Sequence, residues 1–165
     1  MNILIVKLSA LGDVIHTLPS LSALRRLYPT AHITWVVEEA AADLLIHHPY
    51  LDEVLVSRRK SWLADIRAGR VCSAAREIRW FVKALRRRFY DLVIDFHGLF
   101  KSSLIVFLSR GRRKLGYDSW QELSGLFLTE KIYEDMNKHA VERYFDFALY
   151  LGAKEDKMEF VLPSR

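Results

Sequence analysis

Short runs of apolar, β-branched residues recur along the chain and alternate with stretches of helical period. Residues 3–6 (Ile-Leu-Ile-Val), 33–37 (Ile-Thr-Trp-Val-Val), 54–56 (Val-Leu-Val), 92–94 (Leu-Val-Ile) and 114–117 read as strands. Continuous apolar runs of this length fit strands covered on both faces, as in a parallel sheet. Val14, Leu18, Leu21, Leu24 and Leu27 return at helical spacing and predict a first helix over 13–27, stopping before Pro29. A second helix is predicted over 75–89, with Ile78, Phe81, Val82, Leu85 and Phe89 on its apolar stripe and Arg76, Arg79, Lys83, Arg86 and Arg87 opposite. A third opens after Asn137 as N-cap, carries Val141, Tyr144, Phe145, Ala148 and Leu151, and ends against Gly152. Residues 57–73 have the weakest period and are expected to form a mobile loop or short helix bearing charge; residues 160–165 read as a strand entering a linker. The alternation predicts an α/β fold: a doubly wound, mainly parallel sheet with helices on both faces.

Composition narrows the class. A chain of 165 residues, 51% hydrophobic and 27% charged, buries enough for one globular domain. Its longest apolar runs, such as 104–108, fall far short of the ~20 residues of a membrane span. Lys7 interrupts the first apolar run, and no small-residue cleavage site follows, so no secretory signal is expected. The single cysteine, Cys72, excludes an internal disulfide, fits a reducing compartment and reads as a bystander thiol. The net charge of +5 is unevenly spread: residues 58–88 hold eleven Lys/Arg and two acidic residues, and the remainder is net acidic. One basic patch points to an anionic partner at one place. No nucleic-acid-binding signature accompanies it.

Neither a G-x-G-x-x-G fingerprint nor a P-loop is present. The first strand instead leads into Ser9-Ala10-Leu11-Gly12-Asp13. Ligands of open α/β sheets bind beyond the carboxyl ends of the strands, which places this turn where chemistry is usually done. Gly12 permits a tight turn or a close ligand approach. Asp13, favoured by the dipole at a helix start, suits a general base for a substrate hydroxyl; as a preferred N-cap residue it equally suits a simple helix cap. His16 lies one turn on, near the same face, and serves either a ligand or the structure. Asp95 and His97, at period two, fall on the same sheet edge. Lys101, in the first turn of the next helix, sits against the dipole and implies a nearby anion. Arg58-Arg59-Lys60 directly follow a strand end, and His139 and Arg143 are spaced i, i+4 on one helix face, an arrangement that a surface salt-bridge helix also explains.

Taken together, Lys7-Leu-Ser-Ala-Leu-Gly-Asp-Val-Ile-His-Thr-Leu-Pro19, Trp35-Val-Val-Glu-Glu39, Asp95-Phe-His-Gly-Leu-Phe-Lys-Ser102 and His139-Ala-Val-Glu-Arg143 resemble the heptosyltransferase I branch of the ADP-heptose:lipopolysaccharide heptosyltransferase family. The four segments stand in the family's order and span nearly the whole chain. The resemblance implies the N-terminal, Rossmann-like acceptor-binding half of a GT-B glycosyltransferase. On that reading residues 1–160 form the acceptor domain, residues 161–165 begin an interdomain linker, and a C-terminal donor domain is absent, so this chain alone is expected to be inactive. The family's reaction moves L-glycero-D-manno-heptose from ADP-heptose to Kdo of Kdo2-lipid A with inversion, without metal or cofactor. Asp13 matches its general base; Arg58, Arg59, Lys60, Lys101, His139 and Arg143 match acceptor-binding positions; Ser9, Ala10 and Gly12 match the turn facing the donor. His97 stands where the family more often has glutamine. The implied location is cytoplasmic, at the cytoplasmic face of the inner membrane of a Gram-negative bacterium, with the basic patch on anionic lipid and no role for nucleic acid. Alternatives are another sugar transferase of the same architecture and a basic, flavodoxin-like binding module for anionic ligands.

Overall fold

The first apolar run forms the middle of the sheet. In the computed structural model, which describes residues 1–118, 125–154 and 158–163, six strands form one sheet: β1 (Asn2–Val6), β2 (His32–Glu38), β3 (Glu53–Ser57), β4 (Tyr90–Asp95), β5 (Gly111–Tyr117) and β6 (Glu130–Ile132). Their order is β3-β2-β1-β4-β5-β6, and every neighbouring pair is parallel. The helices are α1 (Leu11–Leu27), α2 (Glu39–Ala42), α3 (Arg59–Arg67), α4 (Val71–Leu85), α5 (Phe100–Leu108) and α6 (Ala140–Tyr150). The expected doubly wound α/β class is thus observed. The strand order is that of the dinucleotide-binding folds and not the flavodoxin order, which removes the flavodoxin-like alternative.

Alternation along β1 builds the two core layers. Ile3 and Ile5 face α1 and α6, packing with Val14, Leu18, Leu21 and Phe147. Leu4 and Val6 face the other way, against Leu85 of α4 and Ile105 and Val106 of α5. α6 is fastened to the sheet by Phe147, fully buried, whose ring lies 4.8 Å from Phe96 and 4.5 Å from Tyr117.

Several elements differ from the sequence expectation. α1 begins at Leu11, two residues before Asp13, and runs through Pro19. Of the loop or short helix expected over 57–73, the short helix is observed as α3 (Arg59–Arg67), and α4 begins at Val71, before the expected start at 75. Gly69, in the left-handed region at φ 81, breaks the chain between them, and the tilted Trp62–Phe81 contact at 5.4 Å packs them together. α4 ends at Leu85, not at 89, because Tyr90 is already drawn into the sheet, its N–H donating to Arg110 O at 2.7 Å; Phe89 is consequently half exposed. α6 is capped by His139, not Asn137, through a reciprocal box with Glu142. Residues 158–163 carry no regular structure where a strand was expected; they are held by His48 Nε2 against Val161 O at 2.8 Å and by the Arg26–Glu159 ion pair. Residues 164–165 of that expectation lie outside the described residues.

Because Phe147 is the main apolar tie of α6, Phe147→Ala should destabilise the fold by about 3–5 kcal/mol, measured by urea unfolding. Phe147→Leu should lose clearly less; a loss equal to that of Phe147→Ala would mean that the ring contacts with Phe96 and Tyr117, and not the filled volume, carry the stabilisation.

Candidate active site

The strand order reverses between β1 and β4, and the crevice beyond their carboxyl ends is the expected ligand position. Val6 and Asp95 are paired across that junction, so the residue after each lies at its floor. Lys7 is buried at 3% exposure. Its Nζ donates to the Tyr144 hydroxyl at 2.9 Å, lies 4.3 Å from the centre of the same ring and sits 3.8 Å from Asp13 Oδ2. Burial pulls the Lys7 ammonium down to about 8, against the opposing charges of Asp13 and Asp95. Burial likewise raises the Tyr144 phenol, and the Asp13 carboxylate adds to it.

Asp13 lies in the first turn of α1, whose N-cap is Ala10 with no side-chain cap. The helix-cap reading of Asp13 therefore fails: the residue stands above Lys7 with its side chain 42% exposed. Gly12 is helical and does not form the turn; the space where its Cβ would stand is open, which leaves room for a close approach. Ser9 Oγ accepts from Lys101 Nζ at 3.0 Å. His16 is near Asp13 but pairs edge to face with His139, ring centres 5.3 Å apart.

Asp95 is almost fully buried. It closes the turn after β4 by accepting from the N–H groups of His97 (2.9 Å) and Gly98 (3.1 Å), while Ser102 Oγ lies 3.1 Å from its Oδ2. Gly98 takes the φ of 69 that this turn needs. Burial pushes Asp95 up to about 6 despite those hydrogen bonds and the Lys7 charge. Asp95 is thus a structural carboxylate, and the shared face predicted for Asp95 and His97 does not join them in one reactive pair. Both His97 ring nitrogens are buried without hydrogen bonds; burial, with the charges of Lys7 and Lys101, holds that ring down to about 4.

The anion implied by Lys101 is internal. Glu38, at the end of β2, accepts from Lys101 Nζ at 3.0 Å and faces Arg59 Nε at 3.7 Å. Burial alone raises the Glu38 carboxyl, but Lys101, Arg59 and Lys60 together leave it below its ordinary value. Arg58 bridges Glu39 (3.3 Å) and Glu77 (3.4 Å). Glu38, Glu39, Ala40, Ser57, Arg58 and Lys60 line an open pocket of about 270 Å³. On the other side of the crevice Arg143 pairs with Glu134 at 2.8 Å. His139 spends its Nδ1 on the α6 cap, accepting from Val141 N–H at 3.4 Å. Most of the expected site residues therefore fall into two groups: Ser9, Arg59, Lys60 and Lys101 around Glu38 with Arg58 on neighbouring Glu39, and Asp13 and Arg143 around Lys7 and Tyr144, while His139 stands beside His16. Among the described residues no group of three or more His, Cys, Asp or Glu is placed to hold a metal ion, and no helix is long and apolar enough to cross a membrane. Lys7, Tyr144 and Glu38 escaped the sequence reading. Lys7 carried a visible signal, as a charge directly continuing a strand buried on both faces.

Residues 78–162 match the model of Glycosyltransferase family 9 (heptosyltransferase). The chain is 38% identical over 162 residues to "Lipopolysaccharide heptosyltransferase 1" of Escherichia coli, covering 92% of this chain and 48% of that protein. It is 36% identical over 150 residues to the protein of the same name from Pseudomonas aeruginosa, covering 87% and 40%. The solved structure of E. coli heptosyltransferase WaaC with ADP superposes with a TM-score of 0.84 at 34% identity, over 97% of this chain and 50% of that one. The chain thus spans about half the length of the curated relatives it matches.

Two titrations at the β4 turn oppose each other. Between pH about 4 and the ordinary histidine value, His97 is neutral in the folded chain but protonated when unfolded, so stability rises with pH. From the ordinary aspartate value to about 6, Asp95 keeps its proton when folded but loses it when unfolded, so stability falls with pH. The wild-type contributions should nearly cancel over pH 4–6. Asp95→Asn should therefore unmask a stability that climbs across this window at a slope approaching one proton, read by urea unfolding at several pH values. An unchanged slope would remove the assignment.

Proposed function

Because this chain belongs to glycosyltransferase family 9, the heptosyltransferases, we propose that it is the acceptor-binding, base-bearing half of an inverting enzyme that moves L-glycero-D-manno-heptose from ADP-heptose to Kdo of Kdo2-lipid A. The observation that carries the reading is the half-exposed Asp13 carboxylate, held over buried Lys7 at the β1/β4 switch point. A Kdo hydroxyl oxygen attacks the anomeric carbon of the heptose from the face opposite the nucleotide. The bond from that carbon to the ADP oxygen breaks, ADP leaves with the bonding pair, and the hydroxyl proton passes to Asp13.

The uncapped start of α1, at Ser9, Ala10 and Gly12, leaves first-turn N–H groups for the departing diphosphate. Arg58, Arg59, Lys60, Lys101 and Arg143, with His139 at the rim, take the carboxylates and phosphates of the acceptor. Each of these arginines, and Lys101, is already paired with a carboxylate, so ligand anions enter by exchanging with Glu38, Glu39 or Glu134. Residues 1–160 act as the acceptor domain, and the donor is held mainly by the half of the relatives that this chain does not cover. On the outer face of α4, Trp80 is 67% exposed, with Lys83 5.5 Å over its ring. Together with Arg76, Arg79 and Arg86 it suits the anionic inner-membrane surface, at its cytoplasmic face.

The test is this chain joined to the donor half of the E. coli relative and assayed with ADP-heptose and Kdo2-lipid A. Asp13→Asn should lower kcat by about 10²–10⁴-fold with the acceptor KM little changed. Near-normal turnover in that variant would end the assignment of the base. Efficient transfer only to an acceptor without Kdo would end the assignment of the substrate.

A further inference from the structure

An apolar groove of about 200 Å³ runs between α3, α4 and α5 and is put to no use by the reaction above. Leu63, Ile66, Ile78, Phe81, Leu104 and Leu108 are among its walls. Three of these remain open to solvent, with Leu63 at 40%, Ile66 at 43% and Leu104 at 47% exposure. Exposed apolar side chains gathered along one slot mark a binding surface more often than chance placement does. The groove is polar only at its upper end, where Ser57, Arg59 and Lys101 line it at the carboxyl edge of the sheet.

That rim carries a charge imbalance. Arg59 and Lys101 share the single carboxylate of Glu38, and the buried Arg59 Nε makes no hydrogen bond. An added anion would balance the second cation and supply the missing acceptor. The slot beneath is too small for a helix, whose diameter with side chains is about 10–12 Å, but it suits one extended chain of methylenes. We propose that the groove binds a single alkyl chain of an anionic lipid drawn from a membrane surface, with its head group on Arg59 and Lys101. The rim cations Arg59 and Lys101 are shared with the acceptor reading above, but the apolar groove goes beyond it, since binding here requires neither donor nor acceptor sugar.

Dodecyl phosphate, kept below its micelle-forming concentration, is the probe. Titration calorimetry on this chain should show saturable one-to-one binding, with circular dichroism unchanged throughout. Inorganic phosphate and dodecyl maltoside should each bind about tenfold more weakly or worse, since one lacks the chain and the other the charge. The paired change Leu63→Gln with Leu104→Gln, both at exposed positions, should cost a similar factor, as should Arg59→Gln. Phosphatidylglycerol vesicles should compete, and phosphatidylcholine vesicles should not. Equal affinity for inorganic phosphate would reduce the site to an anion pocket, and equal affinity for the maltoside to general stickiness; either overturns the proposal. So would a wild-type dimer that the double variant dissociates and that takes up no dodecyl phosphate, because a second copy would then be the occupant.

Discussion

The ammonium of Lys7, held at the end of the central strand, is the constraint on which the crevice depends. Taking an ion out of water costs several kcal/mol unless partners replace the lost hydration. Here the partners come from three other elements: the Tyr144 hydroxyl from α6, the Asp13 carboxylate from α1 and the charge of Asp95 from β4. Each partner would be poorly placed without the cation. The buried charge thereby fixes how α1 and α6 stand over the sheet, while Phe147 and Leu18 supply the apolar part of the same contact. Trp35 of β2 closes the set, its indole N–H donating to Lys7 O at 3.0 Å.

Glu38 does for the neighbouring strand end what Asp13 does for β1. A lysine at the N-terminal turn of α5 and an arginine at the start of α3 would repel one another across the crevice, and a carboxylate 5% exposed lies between them. The arrangement stores basic side chains in an ordered position before any ligand arrives. On the proposed reading a ligand anion would find its donors oriented, at the cost of competition with an internal carboxylate. Electrostatic preorganisation of this kind favours binding chiefly by reducing what must be ordered on association.

How much of this was legible follows from the range of each interaction. β1, β2 and β4 were readable because strands buried on both faces must be apolar almost throughout, and the α1 stripe because its period is local. β6, three residues reading Glu-Lys-Ile, has no such signature; its strand character comes only from pairing with β5. The bounds of the helices over 59–85 were less legible for a similar reason. α3 has a low apolar content and is held by the contact of Trp62 with α4, not by its own period. At the site, Asp13, Lys101 and the Arg58–Lys60 run were visible as charges at strand ends. Their partners were not, because the Lys7–Tyr144 bond joins residues 137 apart in sequence and the Lys101–Glu38 bond residues 63 apart. The His139–Arg143 spacing was legible as a helix face, but the first of these turns out to cap that helix.

Two aspartates flank Lys7, and their environments divide the work between them. Asp95 is enclosed, its oxygens occupied by backbone N–H groups and Ser102, and burial has raised it to about 6; it shapes the β4 turn and has no open side for a reactant. Asp13 shares the same cation but keeps 42% of its side chain exposed, beside the open space over Gly12. A proton acceptor needs both properties at once, since a carboxylate must be oriented by a fixed partner and still be reachable by the group it deprotonates. The start of α1 at Leu11, two residues before Asp13, is what separates these two environments. As an N-cap, Asp13 would spend its oxygens on its own helix, as Asp95 spends them on its turn. In the first turn above Ala10, which has no side chain to cap with, its carboxylate is held from below by Lys7 and left open above.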